Sequence, residues 1–327
     1  MALIHKLLLA AALTTTTTLS AAGYSGITIF GDSLSDTGNV YAATGFTFPP
    51  PPYFFGRFSN GPVWVETLAT GIGHGAQSTA SFLGGNNYAF GGARMNGTSP
   101  VPGVLQQMGG LWAPSHPVAD PNALYVVVGG GNDMRDARSA FTTNSAADQA
   151  ARQAAAEAAA NNLIASLGFL ASRGAHEVLI SNLPDLGVTP EAAFLGLQYA
   201  SSDVTQRFNA LMGSVMAAGA SFGLDMHFLD MAGLLATVFD DALNHGGAQY
   251  GVTNVTTPCG AFAGSIGTSC DVSLFSDDLH PSARAHRLIG LAALDAVRVP
   301  EPETLAMVTL GFLCLGLSSR RRRQSAH

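Results

Sequence analysis

Ile27-Thr28-Ile29-Phe30-Gly31-Asp32-Ser33-Leu34-Ser35-Asp36-Thr37-Gly38-Asn39 joins a short apolar run to a polar turn punctuated by glycines. That order predicts a strand that ends in a sharp turn and opens a helix. Such a turn lifts the Ser33 hydroxyl to the carboxyl edge of a sheet, with main-chain N–H groups beneath it. A serine at a strand-to-helix turn also serves as a helix N-cap, so the triplet Gly31-Asp32-Ser33 decides nothing by itself. The rest of the chain has to supply the other groups that a nucleophile needs.

Outward from that stretch, short apolar runs at 27–30, 125–128, 178–181 and 226–229 alternate with helical stretches, notably 145–172 and 191–218. Strands separated by helices of this length imply a parallel sheet covered on both faces. A weaker strand at 87–89 completes five, and 281–297 reads as a closing helix with Pro281 near its start. The expected fold is therefore α/β, a three-layer α/β/α sandwich around a central, mostly parallel five-stranded sheet. With 327 residues, 47% hydrophobic and 11% charged, the chain can bury one substantial core.

Asp277-Asp278-Leu279-His280-Pro281, near the far end, offers an acid and a base. A serine hydroxyl is a poor nucleophile at neutral pH until an imidazole accepts its proton, and the imidazole needs a carboxylate to fix its tautomer. Ser33, His280 and Asp277 fill those roles, with Asp278 as the competitor for the last. Two further glycine-rich stretches complete four blocks: Asn87-Tyr88-Ala89-Phe90-Gly91-Gly92-Ala93 and Gly129-Gly130-Gly131-Asn132-Asp133. The set resembles the GDSL lipases and esterases of the SGNH hydrolase family. That resemblance implies Ser33 as nucleophile, His280 as general base, Asp277 as its orienting acid, and an oxyanion hole made by Ser33, the Gly91 N–H and the Asn132 amide. It favours Asp277 over Asp278. It implies no metal and no organic cofactor, and an acyl-ester substrate, either a lipid or an acylated glycan.

Other tempting groups take structural readings. Gly219-Ala220-Ser221-Phe222-Gly223 has the spacing of a nucleophile elbow, but a helical stretch precedes it and a strand follows, the reverse of what an elbow requires. Asp32 and Asp36 are expected to hold the turn by accepting main-chain N–H bonds. His74, His116, His176, His227, His245 and His286 lie in no matching block. The aperiodic segment 46–62 contains four consecutive prolines and the rings Tyr53, Phe54, Phe55 and Phe58. It reads as a packed surface loop, with partial substrate contact as the lesser alternative.

Both ends look like targeting segments. Residues 1–22 carry Lys6, an apolar run, Thr14 to Thr18 and small residues at Ser20-Ala21-Ala22, the pattern of a secretory signal. At the other end Val299-Pro300-Glu301-Pro302-Glu303, an apolar stretch at 305–317 and Arg320 to Arg323 resemble the PEP-CTERM sorting signal of Gram-negative bacteria. The divisions expected are a signal peptide at 1–22, a hydrolase domain at 23–298 and a sorting segment with a short transmembrane stretch at 299–327. Export across the inner membrane, membrane contact through the tail and an exosortase-like processing enzyme follow from that resemblance. Of 15 basic residues, Lys6 and four terminal arginines lie in the end segments, as do Glu301 and Glu303 of the 22 acids, leaving a domain near −10 without lysine. Such a surface does not suit a nucleic-acid partner.

Cys259 and Cys270 are the two cysteines of the domain, Cys314 lying in the tail, and they are expected to form a disulfide just ahead of Asp277. A metal site is the alternative, but no second cysteine pair or histidine stands at ligand spacing. Two functional rivals remain beside an exported esterase or lipase: a carbohydrate esterase that deacetylates an exopolysaccharide, and a non-catalytic surface-displayed binding protein.

Overall fold

The computed structural model describes residues 23–98, 100–260 and 268–297. The expected signal peptide, the apolar tail stretch and the terminal arginines lie outside the described residues. Among the described residues no helix is long and apolar enough to cross a membrane.

Four parallel strands form one sheet in sequence order: β1 (Ile27–Gly31), β2 (Leu124–Val128), β3 (Glu177–Ser181) and β4 (Asp225–Leu229). The registers pair Ile29 with Val126, Val126 with Leu179, and Leu179 with His227. Side chains alternate across the strands, so each strand feeds two cores. Ile27, Ile29, Leu124, Val126 and Leu179 face one way, packing with α2 (Trp64–Gly71), α8 (Met231–Asn244) and α9 (Ala283–Ala296). Phe30, Tyr125, Val127, Val178 and Ile180 face the other, against α3 (Gly131–Ala140), α4 (Ala146–Ser172), α6 (Gln198–Ala210) and α7 (Met212–Ser221). α1 (Asn39–Ala43) follows the serine turn, and α5 (Pro190–Leu195) follows β3. This is the three-layer α/β/α arrangement expected from the alternation.

The fifth strand is not present as such. Residues 86–90 do run beside β1, with Ile29 N–H donating to Asn86 O and the Tyr88 and Phe90 N–H groups donating to Ile29 O and Gly31 O. They form only isolated bridges, Asn87 pairing with Ile29 on one side and with Ala80 on the other. The reason lies on the outer side. The buried Asn39 amide takes the carbonyls of Asn87 and Ala89 at 2.7 and 2.8 Å, and the Asn87 amide turns to Ser35 O and Thr37 Oγ1. Side-chain amides join the main-chain bonds of Asn87 to Thr79 and Ser81 on that side and tie the block at 87–93 to the serine turn.

The stretch 191–218 is broken into three helices. Gly196 takes a left-handed conformation (φ 68°) at the end of α5, and α7 starts anew at Met212. Ser145 caps α4 by accepting the Asp148 N–H, and Ser282 caps α9 by accepting that of Ala285. Ser221 sits at the last turn of α7 and donates to Ala218 O, with β4 following, which is the helix-then-strand order that disqualifies it as an elbow.

Cys259 and Cys270 are bonded, with Cα atoms 5.1 Å apart. The closure spans 11 residues and removes about 3 kcal/mol of chain entropy from the unfolded state. We therefore expect Cys270→Ser to lower the urea-unfolding free energy of the purified protein by about that amount. An unchanged midpoint and slope would remove the disulfide from the account of this segment.

Candidate active site

Ser33 and Asn132 stand on the connections leaving the carboxyl ends of β1 and β2, the edge where an open parallel sheet exposes its loops, and Asp277 and His280 reach them from the loop between α8 and α9. Ser33 follows β1 and is 7% exposed. Its turn requires Gly31, because a Cβ there would lie 2.5 Å from Val128 O on the neighbouring strand. Gln107, fully buried, accepts the Gly31 N–H at 2.9 Å and donates to its carbonyl at 2.8 Å, fixing the strand end from the side. Asp32 accepts the Leu34 N–H, and Asp36 accepts those of Gly38, Asn39 and Val40, as the turn reading expects. Burial pushes both carboxyls up to about 6 against those bonds.

His280, 247 positions along the chain, places Nε2 at 2.9 Å from Ser33 Oγ. Its Nδ1 lies 2.7 Å from Asp277 Oδ2. The other carboxylate oxygen, Oδ1, accepts the N–H groups of Leu279 and His280 at 2.8 and 2.5 Å. Asp278 does not compete: its side chain is exposed, and its carbonyl accepts the Glu191 N–H. Burial would raise the Asp277 carboxyl. The charge and hydrogen bonds of His280, with one from Tyr53, outweigh it and hold the group well below the usual carboxylate range.

Asn132 stands in the first turn of α3, buried, and donates one amide hydrogen to Ala93 O at 2.9 Å. Arg135 donates to its Oδ1 at 3.4 Å and pairs with Glu191, which also binds the buried Arg138. The second amide hydrogen has no hydrogen bond among the described residues and is available in a pocket that Asn132 lines with Ser33 and His280. The Ser33 N–H is likewise unused there.

Gly91 departs from expectation. Its N–H donates to Asp36 Oδ2 at 2.9 Å, which removes it as an oxyanion donor. Glycine is needed there for a different reason: a Cβ would fall 2.1 Å from Cε2 of Phe58. The adjacent Gly92 N–H, partly exposed, makes no hydrogen bond among the described residues.

Three groups escaped the sequence reading. Tyr53 donates its hydroxyl to Asp277 Oδ2 at 2.5 Å, and the Phe58 ring lies 5.4 Å from the His280 ring. Glu191 ties α5 to α3 and to the loop of His280. Tyr53 and Glu191 belong to no recognisable spacing, whereas Phe58 lies in Gly56-Arg57-Phe58-Ser59-Asn60-Gly61, a stretch that resembles one near the cleft of bacterial members of the family. Among the described residues no other histidine hydrogen-bonds Ser33. His227 pairs with Glu177, His116 stacks on Trp112, and His286 is buried against the Trp64 N–H, where burial lowers it to about 3 and keeps it neutral.

The pocket beside Ser33 has a volume of about 290 Å³ and mostly apolar walls, with Leu34, Leu183, Leu186, Leu235, Phe239 and Phe275 among them. A smaller cavity of about 160 Å³ lies on the other side of Asp277, lined by Tyr53, Asn60 and both disulfide cysteines.

A family profile described as GDSL-like Lipase/Acylhydrolase matches residues 27–293, and one described as a PEP-CTERM protein-sorting motif matches 298–323. The chain is 28% identical over 310 residues to a phosphatidylcholine-sterol acyltransferase of Aeromonas hydrophila, covering 88% of this chain and 83% of that protein. It is 29% identical over 347 residues to esterase EstA of Pseudomonas aeruginosa, covering 86% of this chain but 48% of that longer protein. The crystal structure of the lipase Lip_vut3 from a goat rumen metagenome aligns with a TM-score of 0.47 at 12% identity, covering 85% of this chain and 99% of that one.

A carboxyl held low in the folded state adds stability that is present above its unfolded pKa, about 3.9, and is lost as pH falls below it. Asp277→Asn is therefore expected to be less stable than the wild type at pH 5 and above. The gap, followed by urea unfolding, should shrink as pH drops below about 4. A gap independent of pH would contradict an ionised, hydrogen-bonded Asp277.

Proposed function

We propose, from the premise that this chain belongs to the GDSL-like lipase/acylhydrolase family and hydrolyses ester bonds, that it cleaves carboxylic esters through an acyl-enzyme on Ser33. The observation that carries this reading is the unbroken line from Ser33 Oγ to His280 Nε2 and from His280 Nδ1 to Asp277 Oδ2. His280 takes the serine proton as Oγ attacks the carbonyl carbon. The resulting oxyanion meets the Ser33 N–H and the free amide hydrogen of Asn132, with the Gly92 N–H as third donor in place of Gly91. Losing one such donor costs about 3 to 4 kcal/mol of transition-state stabilisation. His280 then gives its proton to the departing alcohol. Water, deprotonated by the same imidazole, attacks the acyl carbon and releases the acid and the serine.

The apolar pocket beside Ser33 supports a fatty acyl group over acetyl. Each buried methylene contributes about 0.8 kcal/mol, roughly a fourfold preference per carbon until the walls are filled. The glycan-deacetylase reading has no comparable support in these walls. An unreactive binding protein would have no use for an imidazole aligned between a serine and a carboxylate.

The sorting motif at 298–323 points to export and to processing by an exosortase. We extend that to a signal peptide at 1–22, a catalytic domain at 23–298, and a tail at 299–327 that halts in the inner membrane of a Gram-negative cell until cleavage.

A panel of p-nitrophenyl esters tests the mechanism and the substrate class together. Ser33→Ala should lose on the order of a thousandfold or more in kcat/KM and all labelling by a fluorophosphonate. Ala236→Trp, which fills the pocket wall, should lose at least about tenfold on an octanoate and stay within about threefold on the acetate. Undiminished turnover by Ser33→Ala would overturn the mechanism, and equal losses on both esters would overturn the acyl assignment.

A further inference from the structure

Loop 46–62 contributes no reacting atom, yet it grips the acid–base segment at several points. Tyr53 donates to Asp277 Oδ2, the same oxygen that faces His280 Nδ1. The buried Phe58 ring tilts at 37° against the His280 ring. Ser59 Oγ donates to Pro281 O at 2.8 Å, and Asn60 Oδ1 accepts the Ala283 N–H at 2.9 Å.

The two oxygens of Asp277 are held differently. Oδ1 is fixed by main-chain N–H groups of its own turn, which come with the local fold. Oδ2 has the imidazole and the phenol, and beyond them lies the cavity that Tyr53 and Asp277 both line. Without the phenol, the second acceptor position of Oδ2 would face that cavity, and the carboxylate could turn away from the line of the imidazole. A donor sharing Oδ2 also withdraws charge from it, so Asp277 stabilises the imidazolium less than a carboxylate bonded to His280 alone.

We propose that Tyr53 is a positioning residue for the hydrolysis: its hydroxyl holds Asp277 Oδ2 in line with His280 Nδ1 and moderates the basicity of that imidazole. The proposal rests on the reading of Ser33, His280 and Asp277 as nucleophile, base and orienting acid. Burial pushes the Tyr53 phenol up, and the charge of Asp277 adds to that, so the group remains a protonated donor wherever the enzyme works. Besides Asp277, Asp32 and the neutral His286 face His280 electrostatically, and Asp278 faces Tyr53. Arg135 shares the pocket but is paired with Glu191. These groups stay in place when one hydroxyl is removed.

The test is Tyr53→Phe in the full chain, which keeps the ring and its contact with Phe58 at 6.0 Å. On p-nitrophenyl butyrate, kcat should fall about tenfold, the scale of one lost hydrogen bond to a charged group. KM should stay within about twofold, since the pocket is untouched. The acid limb of kcat/KM should move to higher pH, because an unshared Asp277 stabilises the imidazolium more. The low-field proton resonance of His280 Nδ1 should shift with it. A variant carrying a fluorinated, more acidic tyrosine at position 53 keeps the bond and strengthens it, so its acid limb should move to lower pH. Should Tyr53→Phe not fold, this second variant alone decides. An acid limb and resonance unmoved in whichever variants fold would overturn the proposal. Turnover that survives in Ser33→Ala would sink the underlying triad reading instead, so the two failures are separable.

Discussion

A buried carboxylate has to satisfy both of its oxygens, and at Asp277 that requirement organises the site. Asp277 is 6% exposed and takes four hydrogen bonds: two from its own turn, one from His280 and one from Tyr53. Each donor arrives from a segment that must be positioned correctly. The turn bonds set the direction of the chain between Ser276 and Pro281. The imidazole is thereby aimed at Ser33. The phenol brings in a loop more than 200 positions earlier. An unpartnered charge at this depth would cost several kcal/mol, so the geometry of the acid–base segment and the packing of loop 46–62 are one constraint rather than two.

The parallel sheet supplies the other half of that constraint. Ser33 and Asn132 leave adjacent strands β1 and β2, whose register puts Gly31 opposite Val128. The close approach of Gly31 to Val128 O and the buried Gln107 hold the end of β1 where Ser33 emerges. The second cluster of charges, Arg135 and Arg138 on α3 with Glu191 on α5, links the Asn132 helix to the His280 loop through the Glu191 N–H. Ser33, Asn132 and His280 are thus held together at one edge of the sheet, while the apolar pocket opens beside them between the connections after β3 and β4.

Much of this was legible in the chain because it is local. Strand and helix periods, the serine turn, Asp277 and His280 three residues apart, and the cysteine pair all depend on near neighbours in sequence. What failed was long-range. Residues 86–90 follow β1 as a strand would, but on their outer side the Asn39 amide takes the carbonyls of Asn87 and Ala89, and Asn87 bonds the main chain of Thr79 and Ser81. The resemblance assigns the Gly91 N–H to a substrate oxygen, whereas Phe58 fills the space of its missing side chain and Asp36 binds its N–H. Tyr53 reads as one of the packing aromatics because nothing in its spacing points 224 positions ahead to a carboxylate. The long stretch at 191–218 is broken where Gly196 turns left-handed and again between Ala210 and Met212.

The most direct measurement is acid-quench trapping during turnover of a p-nitrophenyl ester, with intact mass and peptide mapping of the quenched protein. The account predicts a mass increase equal to one acyl group, carried by the peptide containing Ser33 and absent from Ser33→Ala. Acyl groups on another residue, or turnover by Ser33→Ala at the wild-type rate, would contradict it.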